Sequence, residues 1–161
     1  MQSSIAGKLS ILSALATCVL SGIVYLLALA LPVYNLANND PFYGIMVLFL
    51  GWMGPFVNDA GNPIGWYANL FLVFGWGAML LGKFRPLAIA AVIALVLGLG
   101  IALTSFGVTR LPVNEAGMVA RVTIGAGVYA WLASFAIALL GSIATAVLAF
   151  ITAKRAPQKI A

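Results

Sequence analysis

The chain has 161 residues, of which 64% are hydrophobic and only 7% are charged. A typical soluble domain holds about 45–50% apolar and about 25% charged residues, so this composition predicts an integral membrane protein. The formal charge is +5, but the basic residues stand in short groups between apolar runs, which excludes a nucleic-acid-binding surface. With no histidine and one cysteine, the sequence offers no ligand set for zinc, copper or haem and no pair for a disulfide, and we predict no metal site.

Four long apolar runs separate the charged residues. A helix needs about 20 apolar residues to cross a hydrocarbon layer about 30 Å thick, and each run is long enough. The sequence therefore predicts an all-α integral membrane protein, a single membrane domain of residues 1–161 built as a four-transmembrane-helix bundle. The predicted spans are residues 10–33, 64–82, 86–106 and 124–151.

The basic residues predict the orientation of this bundle. Two of them, Arg110 and Arg121, fall on one side of the membrane with all three acids, Asp40, Asp59 and Glu115. The positive-inside rule places the other side in the cytoplasm, so both termini are expected there, in a bacterial inner membrane. The residues on that cytoplasmic side are Lys8, Lys83, Arg85, Lys154, Arg155 and Lys159.

Segment 41–54, between the first two spans, is apolar around its whole circumference. Asn39 or Asp40 is positioned to cap a helix with Pro41 as its first residue, and Gly54 followed by proline predicts its end. Because this helix is too short to span, we expect it to be interfacial or re-entrant and buried against the bundle. It is expected to serve as a connector that shields the bundle, with a docking surface and a pore helix as alternatives.

Two polar loops follow on the same side as this segment. Residues 55–63 contain two prolines and two asparagines and predict a turn region. In loop 107–123, Asn114 is positioned to cap a short helix beginning at Glu115. Arg110 or Arg121 is expected to pair with Glu115 as a solvated salt bridge.

Small residues recur at intervals of four on three of the predicted spans. In lipid, close packing through such residues drives helix association, so the first, third and fourth spans are predicted to form the tight core. The residues of these stripes are Ala14, Cys18 and Gly22 on the first span, Ala90, Ala94, Gly98 and Ala102 on the third, and Ala126, Ala130, Ser134, Ala138, Ser142 and Ala146 on the fourth.

The second span carries bulky aromatic residues instead. We expect it to face lipid, a hydrophobic ligand or a partner helix. Asn69 is predicted to bond a backbone carbonyl or the hydroxyl of Thr104, Ser105 or Tyr129, with ligand or partner recognition as the alternative. The candidate partner or ligand contacts are Phe42, Phe49, Trp52, Trp66, Tyr67, Asn69, Trp76 and Trp131.

No ionisable residue falls within any predicted span, which argues against an intramembrane enzyme or a proton-coupled transporter. The sequence therefore favours a non-catalytic accessory or assembly subunit of a larger inner-membrane complex. Its expected partners are other integral membrane proteins and membrane lipids.

Two alternatives stay open from the sequence. One is a small transporter or channel, assembled as a homo-oligomer, with an uncharged pore of Ser, Thr and Asn. The other is a binder of lipid or of a hydrophobic cofactor. No cofactor is assigned, although a bound lipid is compatible with the composition. The aromatic residues of the second alternative are Tyr25, Trp52, Trp66, Tyr129 and Trp131.

Overall fold

The computed structural model describes residues 2–37, 40–56, 64–81, 84–112 and 118–154, and these are mostly helical. Three helices are long and apolar enough to cross a membrane, which indicates a membrane protein: Leu9–Ala30, Arg85–Gly107 and Ala126–Ile151. The α-helices of the described chain are α1 (Gln2–Ala30), α2 (Gly44–Leu50), α3 (Ala68–Leu80), α4 (Arg85–Leu103) and α5 (Ala126–Lys154).

Helices α1, α3, α4 and α5 pack as one bundle. Helix α1 lies along α5, α5 contacts α4, and α4 contacts α3, which also contacts α1 and α5. The expectation that the second span would lie outside the tight core is therefore wrong. Helix α3 buries Ala68, Leu72 and Met79 almost completely, and its Gly75 packs against Leu95. Two aromatics of α3 join this packing, since Phe71 meets Gly98 of α4 and Trp76 bonds Ser21 of α1, whereas Phe74 is exposed.

Close backbone approach at two glycines shows where the helices are tightest. A Cβ atom added at Gly98 would lie 2.6 Å from Phe71 Cβ and 2.8 Å from Phe135 Cε1. At Gly141 of α5, an added Cβ atom would overlap the side chain of Thr17. Small residues therefore fix the helix spacing on both sides of α5.

The predicted stripes coincide with the helix contacts only in part. Steps of four residues advance about 400° around a helix of 3.6 residues per turn, so a long stripe drifts by about 40° per step and leaves the interface. On α4 the most buried positions accordingly alternate steps of three and four: Ala88, Ala91, Leu95, Gly98 and Ala102. Of the stripe residues, Ala14, Ala94, Gly98, Ala102, Ser134, Ala138 and Ser142 are buried, Cys18, Gly22, Ala90, Ala130 and Ala146 are half-buried, and Ala126 is exposed.

A four-stranded sheet lies at one end of the bundle, a feature absent from the predicted all-α fold. Every neighbouring pair of strands is antiparallel, in the order β2-β1-β4-β3. Two hairpins, β1–β2 and β3–β4, are joined by pairing of β1 with β4. The strands are β1 (Pro32–Leu36), β2 (Pro41–Tyr43), β3 (Arg110–Pro112) and β4 (Val119–Ile124).

The strands shorten two predicted spans. Helix α1 ends at Ala30 rather than at 33, because Pro32 cannot continue it and opens β1. Helix α5 begins at Ala126 rather than at 124, because the β-branched run ending at Ile124 belongs to β4.

The sheet has its own small core beneath it. The hydroxyl of Tyr34 donates to the carbonyl oxygen of Ser105 at 3.3 Å. Burial raises the pKa of Tyr34 above its ordinary value, and a hydrogen bond with the Ser105 side chain lowers it in part. The amide of Gly125 donates to the carbonyl of Val33 at 2.8 Å and ties the start of α5 to β1. The buried residues are Val33, Tyr34, Val108, Val122 and Val128.

The segment after β1 differs from its predicted form at both ends. Helix α2 begins at Gly44 rather than Pro41, because residues 41–43 pair with β1 as strand β2. Tyr43 is the N-cap and makes no side-chain capping bond, so the prediction of a cap at Asp40 is wrong. A 3-10 helix, Gly51–Phe56, follows α2 and runs past Gly54, where the sequence predicts the helix to end.

Several predictions fall on parts of the chain outside the described residues. These are the alternative cap at Asn39, most of the turn region 55–63, the short helix capped by Asn114, and the pairing of Glu115 with an arginine. The remainder of the predicted loop 107–123 contains strands β3 and β4.

Candidate functional site

A short apolar segment, Gly44–Phe56, is attached at the sheet end of the bundle by close packing and hydrogen bonds. At its start, Gly44 lies so close to the backbone of Ala28 that no side chain would fit. The Trp66 Nε1 donates to the carbonyl oxygen of Leu48 at 2.8 Å. The Tyr67 hydroxyl donates to the carbonyl oxygen of Trp52 at 3.0 Å. These contacts fix the segment on the start of α3.

The other side of this segment is an exposed apolar surface. Phe49 is 69% exposed, Trp52 49% and Phe56 73%. Soluble proteins rarely leave a continuous apolar patch uncovered, and such patches mark sites that bind protein or membrane. The exposed side chains of this apolar surface are Ile45, Met46, Phe49, Leu50, Trp52, Met53 and Phe56.

The eight predicted contact residues divide among four places in the structure. Phe49 and Trp52 lie on the apolar surface, and Trp66 and Tyr67 lie beneath it. Phe42 packs against the core of the sheet. The remaining three lie in the bundle interior: Asn69, Trp76 and Trp131.

Asn69 joins three helices through its side-chain oxygen. Its Oδ1 accepts hydrogen bonds from the Tyr25 hydroxyl of α1 at 3.3 Å and from Trp131 Nε1 of α5 at 3.0 Å. Because an indole N–H can only donate, this contact requires the amide oxygen of Asn69 to point toward Trp131. The predicted interhelical bond of Asn69 to a hydroxyl is therefore present, but Tyr25 supplies the hydroxyl rather than Thr104, Ser105 or Tyr129, which were named as examples.

A second chain of hydrogen bonds lies one turn deeper. Trp76 Nε1 donates to Ser21 Oγ at 3.1 Å, and Ser21 donates to the carbonyl oxygen of Ser134 at 2.8 Å. The Ser134 hydroxyl donates in turn to the carbonyl oxygen of Trp131 at 2.6 Å. The rings of Tyr25 and Trp76 meet edge to face at 5.9 Å between centroids. We call this set the interhelical polar cluster: Ser21, Tyr25, Asn69, Trp76, Trp131 and Ser134.

The cluster satisfies its own buried polar groups. Throughout the described part of the chain, no buried side-chain nitrogen or oxygen lacks a hydrogen-bond partner. In the same residues, no three side chains of His, Cys, Asp or Glu come together as a metal site. The contacts that the cluster makes are interhelical hydrogen bonds and an edge-to-face aromatic contact, and they position α1, α3 and α5.

The sequence alone did not identify Ser21 and Tyr25 as partners of the α3 residues. The available signal was their spacing of four residues, which places both side chains on one face of α1. It could not show which helix this face meets, because the predicted core paired α1 with the third and fourth spans.

Substitution of Asn69 with leucine is expected to lower the free energy of unfolding by about 1–2 kcal/mol. The change removes the acceptor shared by Tyr25 and Trp131 and leaves two donors unpaired. Thermal unfolding in detergent measures this loss of stability, with Leu70→Ala at the neighbouring exposed position as a near-neutral control.

A double-mutant cycle tests whether Asn69 and Trp131 are coupled. Trp131→Phe should lower the free energy of unfolding less in the Asn69→Leu background than in wild type. Additive losses would show that the two side chains are not coupled.

Comparisons of the chain with protein-family models, with curated proteins and with solved structures found no match.

Proposed function

We propose that this protein is a non-catalytic accessory or assembly subunit of a larger complex in the bacterial inner membrane. The observation that supports this proposal is the exposed apolar surface of segment 44–56. This surface is held in place by close packing and hydrogen bonds, lies outside the long apolar helices, and presents Trp52 and Phe49. Large aromatic side chains on a preformed surface are the residue types that dominate binding energy at protein interfaces.

The proposed membrane arrangement has four spans. Helix α3 has 13 residues and is therefore about 20 Å long. The 3-10 turn Gly65–Tyr67 in front of it adds about 6 Å, which brings the pair close to the thickness of the hydrocarbon layer. Its membership of the bundle supports this assignment, because α3 packs along the full-length helix α4.

The proposed orientation places both termini in the cytoplasm and the sheet outside. The apolar segment would then lie at the external interface, where its exposed side chains contact headgroups, acyl chains or a partner. In the sequence, six basic residues stand before the apolar run of α1, at the junction of α3 and α4, and at the C-terminal end of α5 and beyond, which supports this orientation.

Accessibility labelling tests the orientation. In a Cys18→Ala background, a membrane-impermeant thiol reagent is expected to label Thr123→Cys in intact cells with a permeabilised outer membrane. It should leave Phe84→Cys unlabelled until the inner membrane is opened. Both side chains are exposed, so lack of reaction reports the membrane barrier rather than burial. The reverse pattern would invert the proposed topology.

Purification from the native membrane tests the function. The tagged protein is extracted in mild detergent, and co-purifying proteins and small molecules are identified by mass spectrometry. Stoichiometric foreign subunits are the expected result. A pure homo-oligomer would instead favour the small transporter or channel. A retained lipid or pigment without other subunits would favour the hydrophobic-ligand alternative.

A further inference from the structure

Two arginines face each other across the β3–β4 hairpin. Arg110 and Arg121 are direct partners in the register, so their Cβ atoms lie about 4.5–5.5 Å apart on one face of the sheet. Both side chains are exposed. Like charges directly opposite one another destabilise a sheet. An anion held between the two guanidinium groups would convert this unfavourable pairing into a favourable one.

A cavity lies beside this arginine pair. It is a shallow depression of about 360 Å³ that is widely open to solvent, as suits a headgroup held at the surface. Arginine forks bind phosphate oxygens in a bidentate manner, and threonine hydroxyls can donate to oxygens that remain. The lining residues are Thr109, Arg110, Arg121, Val122 and Thr123.

The cavity lies close to the ends of two apolar helices. Thr109 is two residues beyond the end of the apolar stretch Arg85–Gly107, and Thr123 is three residues before α5. At about 3.3 Å per extended residue, the cavity is within about 10 Å of those ends. Near the same helix ends, the rings of Phe106 and Tyr129 lie 5.8 Å apart. Aromatic residues are enriched at membrane interfaces. In a membrane spanned by the long apolar helices, this level corresponds to the phospholipid headgroups.

We propose that Arg110 and Arg121 bind the phosphate of an anionic phospholipid at the sheet end of the bundle. The two guanidinium groups hold the phosphate oxygens, and the cavity accommodates the rest of the headgroup. The acyl chains then extend toward the exposed apolar side chains at the ends of α4 and α5. This proposal rests on the pairing of Arg110 with Arg121 in the sheet and is independent of the accessory-subunit proposal.

The test uses the purified full chain in detergent with added phosphatidylglycerol or phosphatidylcholine. Native mass spectrometry counts bound lipid, and thermal unfolding reports the stabilisation. Wild type is expected to prefer phosphatidylglycerol. The double variant Arg110→Gln/Arg121→Gln should bind it at least about tenfold more weakly, because both charge-assisted contacts to the phosphate are lost. Without lipid, its unfolding temperature should equal or exceed that of wild type, because the charge repulsion is gone.

A matched control separates this site from general charge attraction. The double variant Lys154→Gln/Arg155→Gln also removes two positive charges, but from the C-terminal end of the chain. It should keep the wild-type preference for phosphatidylglycerol. Equal weakening by both double variants would overturn the proposal, as would loss of binding accompanied by a lower unfolding temperature without lipid. An equal effect of inorganic phosphate would assign the site to a soluble anion.

Discussion

Replacement of Gly98 with leucine is expected to destabilise the bundle by about 1–3 kcal/mol or more, the typical cost of overpacking a close-packed interior. The new side chain would have to enter the space between Phe71 of α3 and Phe135 of α5, both within 3 Å of the first atom added. Both neighbours belong to other helices, so relief requires a shift of α3 or α5. Thermal unfolding in detergent measures the loss.

The chain provides a matched control two residues away. Gly100 lies on the same helix, and a Cβ atom there meets nothing within 4 Å. Leucine is a better helix former than glycine by nearly 1 kcal/mol, so Gly100→Leu should be neutral or slightly stabilising. Equal unfolding temperatures for the two variants would show that α3, α4 and α5 do not meet at Gly98.

Hydropathy predicted the long helices because length and apolar composition alone distinguish a membrane helix from a soluble one. The sheet could not be predicted in the same way. Its strands have three to six residues, and the first two residues of β1, Pro32 and Val33, still belong to the apolar run of α1. Pro32 was the local signal that the helix ends there.

Helix neighbours were predicted less well than helix positions. Small-residue spacing marks a face that can pack closely, but it does not show which helix that face meets. Gly75 illustrates the difficulty. It lies among the aromatic residues of the second span, which the sequence predicts to face lipid, a ligand or a partner helix. In the structure it packs against Leu95 of α4. Likewise, Asn69 was identified as a polar group needing a partner, and only the structure showed Tyr25 and Trp131 in that role.

The apolar segment was recognised from its composition, and its division into two sides came from the structure. The sequence shows a helix that is apolar all round. The hydrogen bonds from Trp66 and Tyr67 show which side is attached and therefore which side remains exposed. The proposed docking function is assigned to that exposed side, with Phe49 and Trp52 as its central anchors.

Loss of these anchors is expected to have the largest functional effect. Large aromatic anchors in an interface commonly contribute 2 kcal/mol or more each, so Phe49→Ala/Trp52→Ala should weaken docking by roughly 100-fold or more. Folding should be little affected, because both side chains project away from the bundle and the bond from Tyr67 uses the backbone of Trp52. The control Phe74→Ala/Leu97→Ala removes side chains of similar exposure, 51% and 54%, from α3 and α4.

Quantitative co-purification of these variants from native membranes is the most direct test of the accessory-subunit proposal. Wild type and the Phe74/Leu97 control should recover the same foreign subunits in the same stoichiometry. The Phe49/Trp52 variant should lose them while it inserts at the wild-type level and keeps its unfolding temperature. Recovery of an unchanged set of subunits by that variant, or of no subunit even by wild type, would contradict the proposed function.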